Sequence, residues 1–199
     1  MKNFFMILSL GVAVVGFALM IFDIFTFPYA GYVYSFALAV AGALLNSSIG
    51  EDKAKDVSDK EKKISDEDKK KIARLRNMLY VAHADGDVKK EELLWCLSIA
   101  ISNGLDKQLA ADVCDAFEYQ TWKIYIPDNQ QDLQTHISEL LAVVMIDGRS
   151  NKKEKARLKE LLIKFGADKD SIDEAIEQGL EKLKASDEFQ ALRKSFKKM

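Results

Sequence analysis

The chain has few of the residues that interrupt helices: two prolines and ten glycines in 199 residues. β-Branched runs are also scarce after residue 50, so helix is the default conformation. There are only two cysteines, Cys96 and Cys114, with no C-x-x-C spacing. Both fall within apolar helical patterns and read as reduced core residues rather than a disulfide or a metal pair. A basic excess is missing too. The 29 Lys and Arg residues face 31 Asp and Glu, for a net charge of −2, and a nucleic-acid surface would need the opposite balance. No H-E-x-x-H, G-x-S-x-G, Walker loop or dinucleotide-binding glycine pattern occurs, which argues against an enzyme.

Charge is nearly absent from the first 50 residues, where only Lys2 and Asp23 carry it. Two apolar runs fill that stretch, Phe4 to Phe22 and Tyr29 to Leu45. Each approaches the roughly 20 residues that a helix needs to cross about 30 Å of hydrocarbon. Residues 1–48 therefore read as a transmembrane helical hairpin, with spans at about 4–22 and 29–46 and a short connector around Pro28. The connector has no lysine, whereas Lys2 precedes the first span and Lys53, Lys55, Lys60, Lys62 and Lys63 follow the second. The positive-inside rule then puts both termini in the cytoplasm of a cell inner membrane, with two passes. Gly31, Ser35, Ala39 and Ala43 recur every four residues and form a small-residue stripe for close packing. That packing is against the first span or against a second copy.

Residues 49–64 are strongly charged and poor in large apolar side chains. They read as a linker, with a Ser58–Glu61 capping box able to start a helical turn. From Ser65 the apolar period is helical. Ile72, Leu75, Met78, Leu79 and Ala82 make one stripe, and Leu93, Leu97, Ala100 and Ile101 a second that ends at Asn103-Gly104. Leu109, Val113, Ala116 and Phe117 follow, and then an aromatic loop at 121–127. Helices are next expected from Asp128, from Asn151 to Phe165, from a cap at Ser171, and from Asp187 to Lys198. In the last of these, Phe189, Leu192 and Phe196 share one side. The expected fold is all-α: a hairpin in the bilayer plus a soluble bundle of six to seven helices over 65–199.

The bundle contains an internal repeat. At a constant offset of 62 residues, Asp85-Gly86 pairs with Asp147-Gly148, Glu92 with Glu154, Gly104 with Gly166, and Asp106 with Asp168. In each copy an apolar helix runs into Asp-Gly, a polar turn follows, and a new helix starts before the Glu. The spacing from Gly to Glu equals that of an EF-hand, but Val81, His83, Val143 and Met145 would occupy its first ligand positions. Neither turn is an EF-hand. Asp85, Asp87, Glu92, Asp147 and Glu154 would converge if the two hairpins face each other. A cation or a basic side chain would then have to relieve their repulsion. Each turn also has an architectural reading, with Asp as cap, Gly at positive φ and Glu in the first helical turn. His83 lies beside the first turn, and His136 sits on a helix next to Ile137.

The stretches YVAHADGDVKKEEL and AVVMIDGRSNKKEKARL resemble the TerB-like domain family, named after a tellurite-resistance protein. The resemblance covers roughly residues 65–185 and leaves the hairpin outside. It implies an all-helical domain, a role in stress response within a membrane-associated assembly, and a divalent metal or other ligand at the acidic turns. The resulting expectation is a membrane-anchored interaction module. Its partners would be other membrane or cytoplasmic proteins, the lipid bilayer and, through the small-residue stripe, further copies of itself. A metal-responsive sensor and an oligomeric membrane subunit are the alternatives.

Overall fold

The computed structural model describes residues 49–86 and 88–198. The two apolar runs, the stripe Gly31, Ser35, Ala39 and Ala43, and Asp87 lie outside them. Among the described residues no helix is long and apolar enough to cross a membrane. The chain divides into two compact units, Met1–Lys55 and Asp56–Met199. Of the first, the described residues 49–55 are helical.

The second unit is all-helical, with no strand among its described residues. Residues 49–61 are helical (α1). The helices α2 (Asp66–Ala82), α3 (Lys90–Ser102) and α4 (Lys107–Ala116) follow, and then a 3-10 turn at Phe117–Tyr119. Next come α5 (Gln130–Met145), α6 (Lys152–Lys164), α7 (Ile172–Ala185) and α8 (Asp187–Lys198). The stretch 49–64, read from the sequence as a linker, is thus largely helical, and its part in the second unit is engaged. Val57 is buried. Lys60 donates to Asp112 at 2.7 Å, and Glu61 is paired with Arg76. Ser58 sits inside the helix; the cap that starts a helix here is Ser65, whose Oγ accepts from the Asp68 N–H at 3.0 Å.

α2 is the central element. It packs against α3, α4, α5 and α6. Ile72, Leu75, Met78, Leu79, Val81 and Ala82 are all buried on it, so its apolar stripe is wider than one helical face. The run Leu140–Met145 on α5 and Ile146 just after it are buried as well. Local chemistry sets the boundaries. Asp106 and Asn129 cap α4 and α5 by accepting from Leu109 N–H and Asp132 N–H, each at 2.9 Å. Ser171 stands at the N-cap of α7 but makes no side-chain cap bond; Asp168 accepts from both its N–H and its hydroxyl. The last helix docks on the domain, burying Phe189 and Phe196, with Phe196 edge-on to Trp95 at 6.3 Å between ring centres.

The repeat is visible in the backbone. The 6→1 bond that closes α3, from Leu105 N–H to Ala100 C=O (3.0 Å), recurs 62 residues on from Ala167 N–H to Leu162 C=O (2.9 Å). Gly104 and Gly166 take φ of +82° and +94° at those stops, and Gly86 and Gly148 take +85° and +90° in the acidic turns. Such values exclude most other residues, which explains glycine at these four positions.

Candidate functional site

The acidic turns follow the C-terminal ends of α2 and α5, and each leads into a helix whose first turn holds a buried glutamate. Glu92 on α3 is 1% exposed and Glu154 on α6 is 4% exposed. The first is fixed by the Lys89 N–H, which donates to Glu92 Oε2 at 3.0 Å. Asn151 plays the matching part for the second, its backbone N–H drawing the Glu154 carboxyl down. The Asn151 side chain also joins the two turns: Oδ1 accepts from the Lys153 N–H at 2.9 Å, while Nδ2 donates to Asp85 Oδ2 at 2.6 Å. Asp147 Oδ1 accepts from the Arg149 N–H at 2.7 Å and so tightens its own turn.

Four of the five acids singled out in the sequence therefore come together. Burial pushes the Glu92 carboxyl up to about 7; the Lys89 N–H opposes it, the charges of Asp147 and Asp85 add to it, and the Lys89 charge opposes it again. Burial pushes Glu154 up to about 8, reinforced by Glu92, Asp147 and Asp85. Each glutamate is thus held back from ionising by the same neighbours. Glu154 Oε2 is buried with no hydrogen-bond partner. As placed, the acids form an electrostatic cluster and not a closed ligand shell: among the described residues no three His, Cys, Asp or Glu side chains are drawn together tightly enough to hold a metal. The donors are all carboxyl oxygens, and Glu154 Oε2 is unused. That chemistry fits a hard divalent cation.

His83 turns away from this cluster. Its Nδ1 faces Glu118 at 3.3 Å and its ring lies on Phe117. Cys96 and Cys114 carry no disulfide, and burial pushes the Cys114 thiol up to about 12, far from a reactive thiolate.

Sequence reasoning missed a second polar cluster, centred on His136, which is fully buried. Arg74 on α2 grips Glu139 with Nε and an Nη at 2.8 and 2.9 Å, and reaches Asp132 with its other Nη at 2.5 Å. Tyr125 O–H donates to the far side of Asp132. Asn77 Nδ2 donates to the Tyr125 carbonyl at 2.9 Å and meets His136 Nε2 at 3.0 Å, while His136 Nδ1 meets Glu139 Oε2 at 3.0 Å. An amide donor against Nε2 and a carboxylate against Nδ1 select the neutral Nδ1–H tautomer. Burial lowers the His136 pKa, in keeping with that tautomer. This cluster pins the aromatic loop to α2 and α5, and its donors and acceptors match. No motif advertised it, because its members lie on three separate elements.

Arg193 was also missed. Its guanidinium lies directly on Gly148, so that a Cβ at that glycine would collide with it; Gly86, the equivalent position in the first turn, has nothing within 4 Å. Comparison of the chain with models of known protein families, with curated proteins and with solved structures finds no match.

Proposed function

We propose that this chain is a membrane-tethered, TerB-like interaction module whose paired acidic turns take up a divalent cation. The carrying observation is the buried pair Glu92 and Glu154: both are held protonation-prone by burial and by Asp85 and Asp147, and one oxygen of Glu154 has no partner. A cation of charge two would displace the protons that these carboxyls retain and satisfy that oxygen. The 62-residue correspondence of stops and turns supports descent of the bundle from a duplicated hairpin. The apolar runs at the N-terminus support a two-span anchor with both ends in the cytoplasm. An anchor of that kind raises the local concentration of the domain for partners at the inner leaflet. Stress response, as in tellurite resistance, is the setting that the family resemblance suggests.

The test is a thermal melt of the full-length, solubilised chain with and without calcium, magnesium, manganese or zinc. Binding to the folded state raises Tm in proportion to the logarithm of ion concentration over Kd. The expected result is a rise with at least one ion that disappears in Glu92→Gln and Glu154→Gln. No rise with any of the four removes the cation from this reading and leaves an interaction module whose acidic turns are architectural.

A further inference from the structure

The repeat extends past the turns to the helix pairs beside them, and the two halves are covered differently. α4 packs on α2 as α7 packs on α5. In the first half the C-terminal part of α1 lies across the pair. Lys60 donates to Asp112 Oδ2 on α4 at 2.7 Å, Glu61 is paired with Arg76 on α2, and Val57 is buried. The offset of 62 residues carries Asp112 to Glu174 on α7 and Arg76 to Ser138 on α5, and both of these are exposed. Glu174 accepts from the Gln178 side chain at 3.0 Å, as Asp112 accepts from that of Gln108 at 2.9 Å. Among the described residues, however, no lysine stands to Glu174 as Lys60 stands to Asp112. Beside them, lined by their neighbours Ala175 and Ile137, is an apolar cavity of about 160 Å³. Its depth is apolar, with Leu162, Ile172 and Ile176 all buried. Its mouth is pared back: Leu105, Leu109 and Val113 of the first half correspond to Ala167, Ser171 and Ala175, which line the cavity and are exposed. An apolar cavity of this kind holds water poorly, and filling it is favourable in proportion to the apolar area covered.

We propose that the groove between α5 and α7 is the docking site for an amphipathic helix of a partner protein, seated there as α1 is seated on α2 and α4. The partner helix inserts an apolar side chain larger than valine, such as leucine or methionine, and carries a lysine or arginine three positions later. The size follows from the pared-back mouth of the cavity. The charge follows from Glu174, which stands where Asp112 receives Lys60, and positions three apart share one helical face. This rests on the reading of the chain as an interaction module and names its docking surface; the acidic turns play no part in it.

The test is fluorescence anisotropy of a labelled peptide of residues 49–64 carrying Val57→Leu, titrated with the full-length, solubilised chain, whose own α1 holds the first groove. Saturable binding is expected, about 2- to 4-fold tighter than that of the peptide with Val57, for one added methylene. Glu174→Lys in the chain is expected to weaken it about 3- to 10-fold. Lys60→Glu in the peptide is then expected to restore it to within about 2-fold, because the pair is rebuilt with its charges exchanged. Ala175→Trp, at an exposed position of α7, fills the cavity mouth and is expected to weaken binding about 10-fold or more. No rise in anisotropy up to about 0.2 mM chain, or binding that neither Glu174→Lys nor Ala175→Trp changes, overturns the groove. Proteins that co-purify from native membranes equally with the unmodified chain and with Ala175→Trp overturn the groove while the interaction module stands. A chain that purifies alone from those membranes overturns both.

Discussion

Midway along α2 and α5, Glu139 is buried against Arg74 and His136; beyond the C-terminal ends of the same two helices, Glu92 and Glu154 are buried with no basic side chain bonded to them among the described residues. The first carboxylate receives a two-pronged guanidinium grip. Burial works against it, but the hydrogen bonds from His136 and Arg74 prevail and hold its pKa below the usual carboxylate range. Asp132 is held low in the same way by Tyr125 and Arg74. The second pair has no such grip, and its values rise to about 7 and 8. Equal burial therefore has opposite consequences, decided by whether a cation of the protein's own is built in. The matched cluster fixes a loop, and the unmatched one keeps its protons to higher pH.

The largest effect should come from making the first cluster resemble the second. Arg74→Met strips the compensation from Glu139 and Asp132 while keeping much of the aliphatic stem. Breaking one partner of a buried charge network costs on the order of 3–5 kcal/mol. Urea titration at neutral pH is the measurement. A loss under about 1 kcal/mol would mean that water reaches these carboxylates easily and that the contrast between the two clusters is illusory.

The next effect is on pH dependence. In the absence of divalent ions, Glu92 and Glu154 titrate near 7 and 8 in the folded chain, against about 4.3 for an unfolded glutamate. Between those values the folded state binds more protons than the unfolded one, so stability falls as pH rises. Their contribution is complete below about pH 4 and gone above about pH 8. Glu139 and Asp132 act in the other direction, losing their contribution as pH falls below the ordinary carboxylate range. Melts in chelator at intervals from pH 5 to pH 8 should show a steady decline for the unmodified chain. Glu154→Gln should flatten that decline and raise Tm at pH 8 by about 4 °C, equivalent to roughly 1 kcal/mol in a domain of this size. A decline that survives Glu154→Gln and Glu92→Gln together would place its origin elsewhere.

What the sequence revealed follows the same division. The helices were readable because Ile72, Leu75, Met78 and Leu79 repeat at helical spacing, and all four are buried. The stops at Gly104 and Gly166 and the turns at Gly86 and Gly148 were readable because positive φ leaves little choice but glycine. The repeat pointed to Asp85, Glu92, Asp147 and Glu154 as matched positions, and these acids act on one another through their charges. The Arg74, Asn77, Tyr125 and His136 network was hidden because its partners are 48 to 65 residues apart and no repeat relates them. Arg193 was hidden for a similar reason: α8 has no counterpart in the repeat, so nothing in the chain indicated which turn it would cover. The charged stretch at 49–64 read as a linker because its apolar residues are few, yet it is largely helical, Val57 is buried, and Lys60 and Glu61 engage neighbouring helices.

The smallest effect separates the two turns from each other. Gly86→Ala introduces a Cβ into open space, so its cost is the left-handed backbone alone, about 1–2 kcal/mol. Gly148→Ala carries the same backbone cost and must also push the Arg193 guanidinium aside. Because that group is the far end of a flexible side chain, the extra cost is expected to be modest, about 0.5–1 kcal/mol for a rotamer change and lost packing. In Arg193→Gln the obstructing guanidinium is gone, so most of the difference between the two alanine substitutions should vanish there, whereas independent sites would simply add. A four-protein set of denaturation midpoints measures the coupling directly. If Gly148→Ala costs the same extra amount with and without the arginine, then Arg193 does not bear on this turn, and the asymmetry between the two halves of the repeat has another source.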